Sequence, residues 1–221
     1  MVKGADTKNL DIFGMKFLRE TRFTKFFVKA NSLDNNGFEE WIFLPGMLFN
    51  AVNKWWGDKL KRDKNHEGLD LCLYRGSQNK IFHLSERTKI PVIYDGVIVK
   101  VTDDFLGKSL IIKHTLSDDD KHGFYTIYGH TKPSHDVHVG RTVKEGDIIG
   151  TLAGSRKKKI DISPHLHISI ACTSKIIPYD DLEWKTMSDS NTMTMMDPIY
   201  IIRGHYFVLE NEFCFCCLLE R

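Results

Sequence analysis

Three short stretches of this sequence carry residue types that bind metals and move protons. They are His66-Glu-Gly-Leu-Asp70, Tyr128-Gly-His130 and Pro164-His165-Leu-His167. Imidazole nitrogens and carboxylate oxygens are common ligands of divalent transition metals. Two imidazoles and one carboxylate, with water in the fourth position, form a tetrahedral zinc site of the kind used in hydrolysis. The sequence therefore predicts one divalent metal held jointly by the first and third stretches.

The third stretch alternates in polarity, which is typical of a β-strand. Two imidazoles would then project from the same face, about 7 Å apart at roughly 3.4 Å per residue. Both can reach one site, although this spacing does not require both to bind the same ion. One face would hold His165, His167, Ser169 and Ala171, and the other Leu166, Ile168, Ile170 and Cys172.

The first stretch is compatible with two local structures. His66 and Asp70 are four residues apart, as on one face of a helix. Gly68 disfavours a helix, and in a strand positions 66, 68 and 70 share a face. Either geometry brings His66 and Asp70 to a common point. Hydrolysis also needs a base and an oxyanion-stabilising group, and His130 and His165 are available for these roles.

The rest of the chain must supply the scaffold, and from about residue 40 it consists of short β-rich runs bounded by turn residues. Asp95-Gly96 predicts a tight turn, and residues 53–65 are polar and predict a loop. The fold class is therefore mainly β and antiparallel, with few helices. The predicted strands are 41–44, 68–74, 89–94, 97–101, 109–114, 124–128, 148–152 and 165–171.

Three segments are predicted along the chain. Residues 1–36 are charged and aromatic and form a short N-terminal extension, helical or partly ordered. Residues 37–203 form the β domain that carries the metal motifs, and residues 204–221 form a C-terminal strand or tail. The helical spacing in the extension involves Phe13, Phe17 and Leu18, and then Phe23, Phe26 and Phe27.

Composition excludes several classes of protein. Of 221 residues, 42% are hydrophobic and 27% charged, which is typical of a globular protein with its own core. The net charge of +2 is too small to predict nucleic-acid binding. Five cysteines, an odd number, disfavour a disulfide framework. There is no apolar stretch of the ~20 residues that an integral membrane segment needs. Residues 1–30 lack the apolar core of a signal peptide, so the chain as written predicts a cytoplasmic protein, or one lacking its export signal.

In their order and spacing, the three stretches resemble the LytM/lysostaphin-type zinc endopeptidases, whose motifs are H-x-G-x-D, Y-x-H and H-L-H. Residues 91–99 and the Gly-rich segment 139–154 resemble further parts of that family, as does Asp197-Pro198. The likeness covers roughly residues 40–202. It implies an antiparallel β-sheet groove with the metal at its floor. It also implies a peptide substrate, usually a cross-link of bacterial peptidoglycan, and with it a location in the cell envelope or outside the cell.

The resemblance also implies a role for each site residue. His66, Asp70 and His167 would be the ligands of Zn²⁺. His130 and His165 would be unligated catalytic histidines of a zinc metalloendopeptidase, one activating water and the other holding the oxyanion. Residues 155–163 are longer and more basic than the usual family loop, and residues 71–90 are also longer. Because such loops rim the groove, they could alter substrate preference.

Two other functions are compatible with parts of this pattern. A catalytically silent member of the same fold could act as a scaffold or activator, and it would not need the five site residues present here. Two histidines and a carboxylate also bind Fe(II) in non-haem iron and cupin-like proteins. A cupin-like site would have an acidic residue shortly after His-x-His, and residues 168–175 contain none.

Overall fold

The computed structural model describes residues 21–115, 123–154, 162–187, 189–202 and 204–209. Within these ranges the protein is built mainly from short strands, with three short α-helices. The helices are α1 (Phe23–Ala30), α2 (Trp184–Met187) and α3 (Ile199–Ile202). The strands are β1 (Glu40–Phe43), β2 (Leu69–Leu71), β3 (Leu73–Arg75), β4 (Ile81–His83), β5 (Lys89–Pro91), β6 (Gly96–Asp103), β7 (Lys108–His114), β8 (Gly123–Pro133), β9 (Thr142–Val143), β10 (Ile148–Leu152), β11 (Leu166–Thr173), β12 (Thr194–Met196) and β13 (Tyr206–Val208).

The strands form two sheets. The larger has nine strands, six of them in the order β12-β11-β8-β7-β6-β9, while β2 pairs with β11 and β10 bridges β8 and β5. Every pair in this sheet is antiparallel. The smaller sheet has the order β13-β1-β3-β4, and its β1–β13 pair is parallel. The predicted fold class, mainly β and antiparallel with a short N-terminal helix, is confirmed with this one parallel exception.

Strand β11 lies between two apolar clusters, which explains its alternating sequence. Leu166, Ile168 and Ile170 face the main core. Ala171, on the opposite face, packs in a smaller cluster with residues such as Ile127. All eight residues of β11 are buried. The strand that carries the His-x-His motif is therefore fixed by apolar packing on both faces.

Helix α1 packs on the smaller sheet. Phe23 and Phe27 are one turn apart and fully buried, and the ring of Phe27 meets Trp41 of β1 edge-on at 5.3 Å between centroids. The helix predicted from Phe23, Phe26 and Phe27 is therefore present. The prediction for Phe13, Phe17 and Leu18 lies outside the described residues. The boundaries at 36/37 and 203/204 stay predictions.

The predicted strand 68–74 was wrong in one respect, because it is two strands in different sheets. The chain changes sheet at Cys72: β2 pairs with β11 in the larger sheet, and β3 pairs with β1 and β4 in the smaller one. Both parts are buried, so the apolar pattern runs through the break. The predicted strand 89–94 ends early, at Pro91. None of the helices in the described ranges is long and apolar enough to cross a membrane.

Candidate active site

Strand pairing brings the three sequence motifs together. Asp70 of β2 is the direct partner of His167 on β11. On its other side, His167 is paired with Gly129 of β8, which precedes His130. The register of three adjacent strands therefore brings Asp70, His167 and His130 together, and the remaining site residues, His66 and His165, lie just before β2 and β11.

Steric crowding explains why the first motif contains a glycine at position 68. A Cβ atom on Gly68 would lie 2.3 Å from the carbonyl oxygen of Ile168 and 2.6 Å from the hydroxyl of Ser169. Only a residue without a side chain lets the first motif approach β11 this closely. The first motif is not helical, and only its end, from Leu69, lies in a strand, whereas His66, Glu67 and Gly68 precede that strand in irregular structure.

His66, Asp70 and His167 form a compact group of buried ligand atoms. His66 Nε2 lies 3.1 Å from His167 Nδ1 and 3.2 Å from Asp70 Oδ1. His167 Nδ1 lies 2.9 Å from the same carboxylate oxygen. Ligands roughly 2.0–2.1 Å from a tetrahedral zinc are about 3.3 Å apart. The three atoms are therefore close to the arrangement that such an ion requires.

The hydrogen bonds around these atoms also fit a cation. His66 Nδ1 lies 3.0 Å from the carbonyl oxygen of Leu48, and a carbonyl can only accept, so this nitrogen carries the proton. In the Nδ1–H tautomer the lone pair lies on Nε2, 3.2 Å from a carboxylate oxygen of Asp70. A cation placed between these two atoms would be bound by both of them. The donor set thus fits a divalent metal.

The protonation states of the ligand group agree with metal binding. Burial alone would raise the pKa of Asp70, but its interactions with His66, His165 and His167 outweigh burial and hold that pKa well below the ordinary value. Burial lowers the pKa of His167 to about 4, although Asp70 partly opposes the shift. A carboxylate and a neutral imidazole are the forms that bind metals.

The other carboxylate oxygen of Asp70, Oδ2, is held by the loop of residues 53–65, to which the sequence assigned no function. The indole Nε1–H of Trp55 donates to Asp70 Oδ2 over 2.7 Å. The guanidinium of Arg62 lies 3.9 Å from that oxygen and donates to the carbonyl of Gly46 at 3.0 Å. Asp70 is thereby fixed with Oδ1 towards the histidines. The two adjacent tryptophans in an otherwise polar loop were the available signal for this function.

His130 and His165 lie beside the metal group. Their rings are 4.8 Å apart between centroids, and His165 Nε2 is 3.9 Å from Asp70 Oδ1. His165 Nδ1 lies 2.9 Å from the carbonyl oxygen of Ser163, which makes Nδ1 the protonated nitrogen and leaves a lone pair on Nε2. Burial lowers the pKa of His165 to about 4. Neither ring belongs to the group of three ligand atoms.

All five predicted residues line one cavity of about 350 Å³. Its other lining side chains were missed by the sequence analysis. Three of them are aromatic: Trp56 stacks on Phe105 with 6.1 Å between centroids, and Trp184 meets His167 edge-on at 5.4 Å. The charged ones are Arg62, Glu67 and Asp104. The cavity thus combines an imidazole-rich floor with aromatic walls.

The remaining buried histidine, His114, is not among the residues that line this cavity. Its two ring nitrogens lie 2.8 Å from the carbonyl oxygen of Asp95 and 2.7 Å from the hydroxyl of Thr126. Burial lowers its pKa to about 4. It is a hydrogen-bonded core residue.

Comparison with known proteins agrees with the motifs. The model of peptidase family M23 matches residues 65–178, which is just over half of the 221 residues and includes all five residues of the predicted site. No curated protein sequence matches the chain.

Several solved structures are similar to this chain at low sequence identity. A mutant of the catalytic domain of the prophage-encoded M23 protein EnpA from Enterococcus faecalis is 23% identical with a TM-score of 0.33, over 52% of this chain and 72% of that one. Lysostaphin is 18% identical with a TM-score of 0.43, over 79% of this chain and 57% of that one. A putative glycyl-glycine endopeptidase lytM from Ruminococcus gnavus is 19% identical with a TM-score of 0.37, over 65% and 50%. The matched region therefore spans 57% of lysostaphin and half of the Ruminococcus gnavus protein.

Proposed function

The chain belongs to peptidase family M23, and on that premise we propose that it is a zinc-dependent metalloendopeptidase. Its substrate is a peptide, and the family resemblance favours a peptide cross-link of peptidoglycan or a related peptide. His66, Asp70 and His167 are the proposed ligands of the zinc ion. His130 and His165 are the proposed catalytic histidines.

One observation carries the proposal: a three-atom ligand group and two further imidazoles share one cavity. The ligand atoms of His66, Asp70 and His167 are within 3.2 Å of one another. His130 and His165 line the same cavity without joining that group. A structural metal site would have no use for two unligated imidazoles next to it, whereas peptide hydrolysis needs such groups.

Each group has a definite task in hydrolysis. Zinc in this site would supply a Lewis acid that polarises the scissile carbonyl and acidifies water. One of His130 and His165 takes the proton of the attacking water, and the other donates a hydrogen bond to the oxyanion. His165 Nε2 carries a lone pair in the neutral ring, because Nδ1–H is held by Ser163.

The experiment is digestion of defined substrates by the zinc-loaded chain. Purified peptidoglycan and synthetic glycine-containing and alanine-containing cross-link peptides are incubated with the protein, and the products are identified by mass spectrometry. We expect cleavage of a peptide bond, loss of activity after chelation, and recovery when zinc is restored.

The matched variants are His130→Ala, in the lining of the cavity, and His135→Ala, an exposed histidine that is not among the residues lining it. We expect His130→Ala to lose about 10²–10⁴-fold in rate, the usual contribution of a general acid–base group, while it keeps its zinc. His135→Ala should stay active. A zinc-loaded protein that cuts none of these substrates, or a His130→Ala variant as active as the unchanged chain, would contradict the proposal.

A further inference from the structure

Asp104 is a buried carboxylate next to the proposed catalytic residues. It lies in the turn between β6 and β7, its side chain is 4% exposed, and it lines the cavity. Burial alone would raise the pKa of Asp104, but hydrogen bonding and the charge interaction with His130 outweigh burial and hold that pKa well below the ordinary value. Asp104 is therefore a carboxylate placed where the proposed chemistry occurs.

The carboxylate itself is rigidly held. Oδ1 accepts the backbone N–H groups of Leu106 at 2.9 Å and of Gly107 at 2.6 Å. Oδ2 accepts the hydroxyl of Ser109 at 2.9 Å. These three donors belong to the turn and to the start of β7, so the position of Asp104 is set independently of His130.

Asp104 then reaches across to β8 and contacts His130 twice. The backbone N–H of His130 donates to Oδ2 over 2.7 Å. Ring nitrogen Nδ1 lies 3.2 Å from Oδ1, although the angle falls outside hydrogen-bond geometry, and Nδ1 has no hydrogen-bond partner among the described residues. One carboxylate therefore faces both the main chain and the ring of the same histidine.

The backbone of His130 needs such support. Its φ is +60°, in the left-handed region that non-glycine residues seldom adopt. The preceding residue, Gly129, is paired with the proposed ligand His167, and the pairing of β8 with β7 shifts register at this point, between Tyr128 and Thr131. A hydrogen bond to the amide of His130 stabilises this irregular backbone, and with it the direction of the ring.

We propose that Asp104 is a positioning residue for His130, which fixes the ring with Nδ1–H towards the carboxylate and leaves Nε2 as the reactive nitrogen. This inference rests on the proposed function, because it assigns Asp104 a part in catalysis only if His130 is catalytic. His165 is fixed through a backbone carbonyl, that of Ser163. A carboxylate does the same for His130 and also stabilises a positive charge on the ring.

A purely structural role, closing the β6–β7 turn, is the competing explanation. It predicts that replacing Asp104 lowers stability and leaves the state of the His130 ring unchanged. The matched control is Asp103→Asn, the same chemical change at the preceding residue, whose side chain is 85% exposed and pairs only with Lys108 in the described contacts.

The test compares Asp104→Asn, Asp103→Asn and the unchanged 221-residue chain. Two-dimensional ¹H–¹⁵N spectra of the histidine rings, without metal and with zinc, report the tautomer of His130, assigned by its loss in His130→Ala. We expect a single Nδ1–H tautomer in the unchanged chain and in Asp103→Asn, and a mixture in Asp104→Asn. With a substrate that the protein cleaves, Asp104→Asn should lower kcat about 10–100-fold, as loss of a supporting partner does, with KM and bound zinc nearly unchanged.

Two results would overturn the inference. The first is an Nε2–H tautomer of His130 in the unchanged chain, which can be read even if Asp104→Asn fails to fold. The second is an Asp104→Asn variant with unchanged tautomer and kcat, while His130→Ala is inactive. Full activity of His130→Ala would instead refute the proposed function and the catalytic meaning of Asp104 together.

Discussion

The cavity is built from two kinds of structure that hold their residues differently. Asp70, His130 and His167 lie on paired strands, and their relative positions follow from backbone register. Trp55 and Asp104 lie on connecting segments and reach the site through single side-chain hydrogen bonds. Two of the three proposed ligands and one proposed catalytic histidine are thus strand residues, which Trp55 and Asp104 orient. The third proposed ligand, His66, and the other proposed catalytic histidine, His165, precede β2 and β11.

This difference predicts different consequences of mutation. A change in a strand residue of the site removes a ligand or a reactive group outright. A change in Trp55 or Asp104 leaves the proposed ligands in place and lets the site residues adopt more orientations, which weakens binding or rate by a smaller factor.

The largest effect is expected for Asp70→Ala on β2. It removes one of the three proposed ligands and leaves the indole N–H of Trp55 without its acceptor, so zinc binding at micromolar concentration should be lost. Zinc content after dialysis measures this, with Asp103→Asn, a change at an exposed aspartate, as a control that keeps the metal. An Asp70→Ala protein that retains one zinc per chain would show that the ligand group is wrong.

A smaller effect is expected for Trp55→Phe in the loop. Phenylalanine keeps the aromatic packing against His165, which Trp55 meets edge-on at 5.1 Å between centroids, but cannot donate to Asp70. Loss of a partner that orients a ligand typically weakens metal affinity about 10–100-fold. Competition with a zinc chelator measures the affinity, and Trp56→Phe, one residue along, is the control. Equal zinc affinities in Trp55→Phe and Trp56→Phe would show that the hydrogen bond from Trp55 does not orient Asp70 for metal binding.

The smallest effect concerns His114, a buried histidine on β7 outside the cavity. Burial lowers its pKa from 6.5 to about 4 in the folded state, so the unfolded chain binds a proton more readily. The contribution of the neutral His114 ring to the free energy of unfolding is fully present above pH ~6.5 and is lost as the pH falls towards ~4. Between about pH 8 and pH 6 this amounts to about 1 kcal/mol. Urea unfolding measures how much the free energy of unfolding falls from pH 8 to pH 6. This fall should be smaller by that amount in His114→Gln than in the unchanged chain. An identical fall in both proteins would contradict the lowered pKa of His114.

The strand-borne half of the site was predictable from the sequence because its signals are local. Alternation of polarity identified the strand of His167, and the order of the motifs linked it to Asp70 and His130. Gly68 disfavoured a helix for the first motif, and the close approach of this motif to β11 needs a residue without a side chain against Ile168.

The loop-borne half was not predictable, since it depends on how irregular segments fold back. The contact of Trp55 with Asp70 spans 15 residues and that of Asp104 with His130 spans 26, and neither follows from a periodic pattern. The change of sheet at Cys72 was not predicted for a related reason. The residues on both sides of Cys72 are buried, so the hydrophobic pattern shows no break there. Periodicity detects burial and strand direction, and it carries no information on which partner a strand finds.

The assignment of the metal site depends most on which histidine of the His-x-His motif binds the ion. The direct measurement is zinc stoichiometry, by elemental analysis after dialysis, of His167→Ala beside His165→Ala. His167 Nδ1 lies 3.1 Å from His66 Nε2 and 2.9 Å from Asp70 Oδ1, whereas His165 Nε2 is 3.9 Å from Asp70 Oδ1. We expect His167→Ala to lose its zinc and His165→Ala to keep one zinc per chain. Zinc retained by His167→Ala and lost by His165→Ala would contradict the assignment of His66, Asp70 and His167 as the metal site.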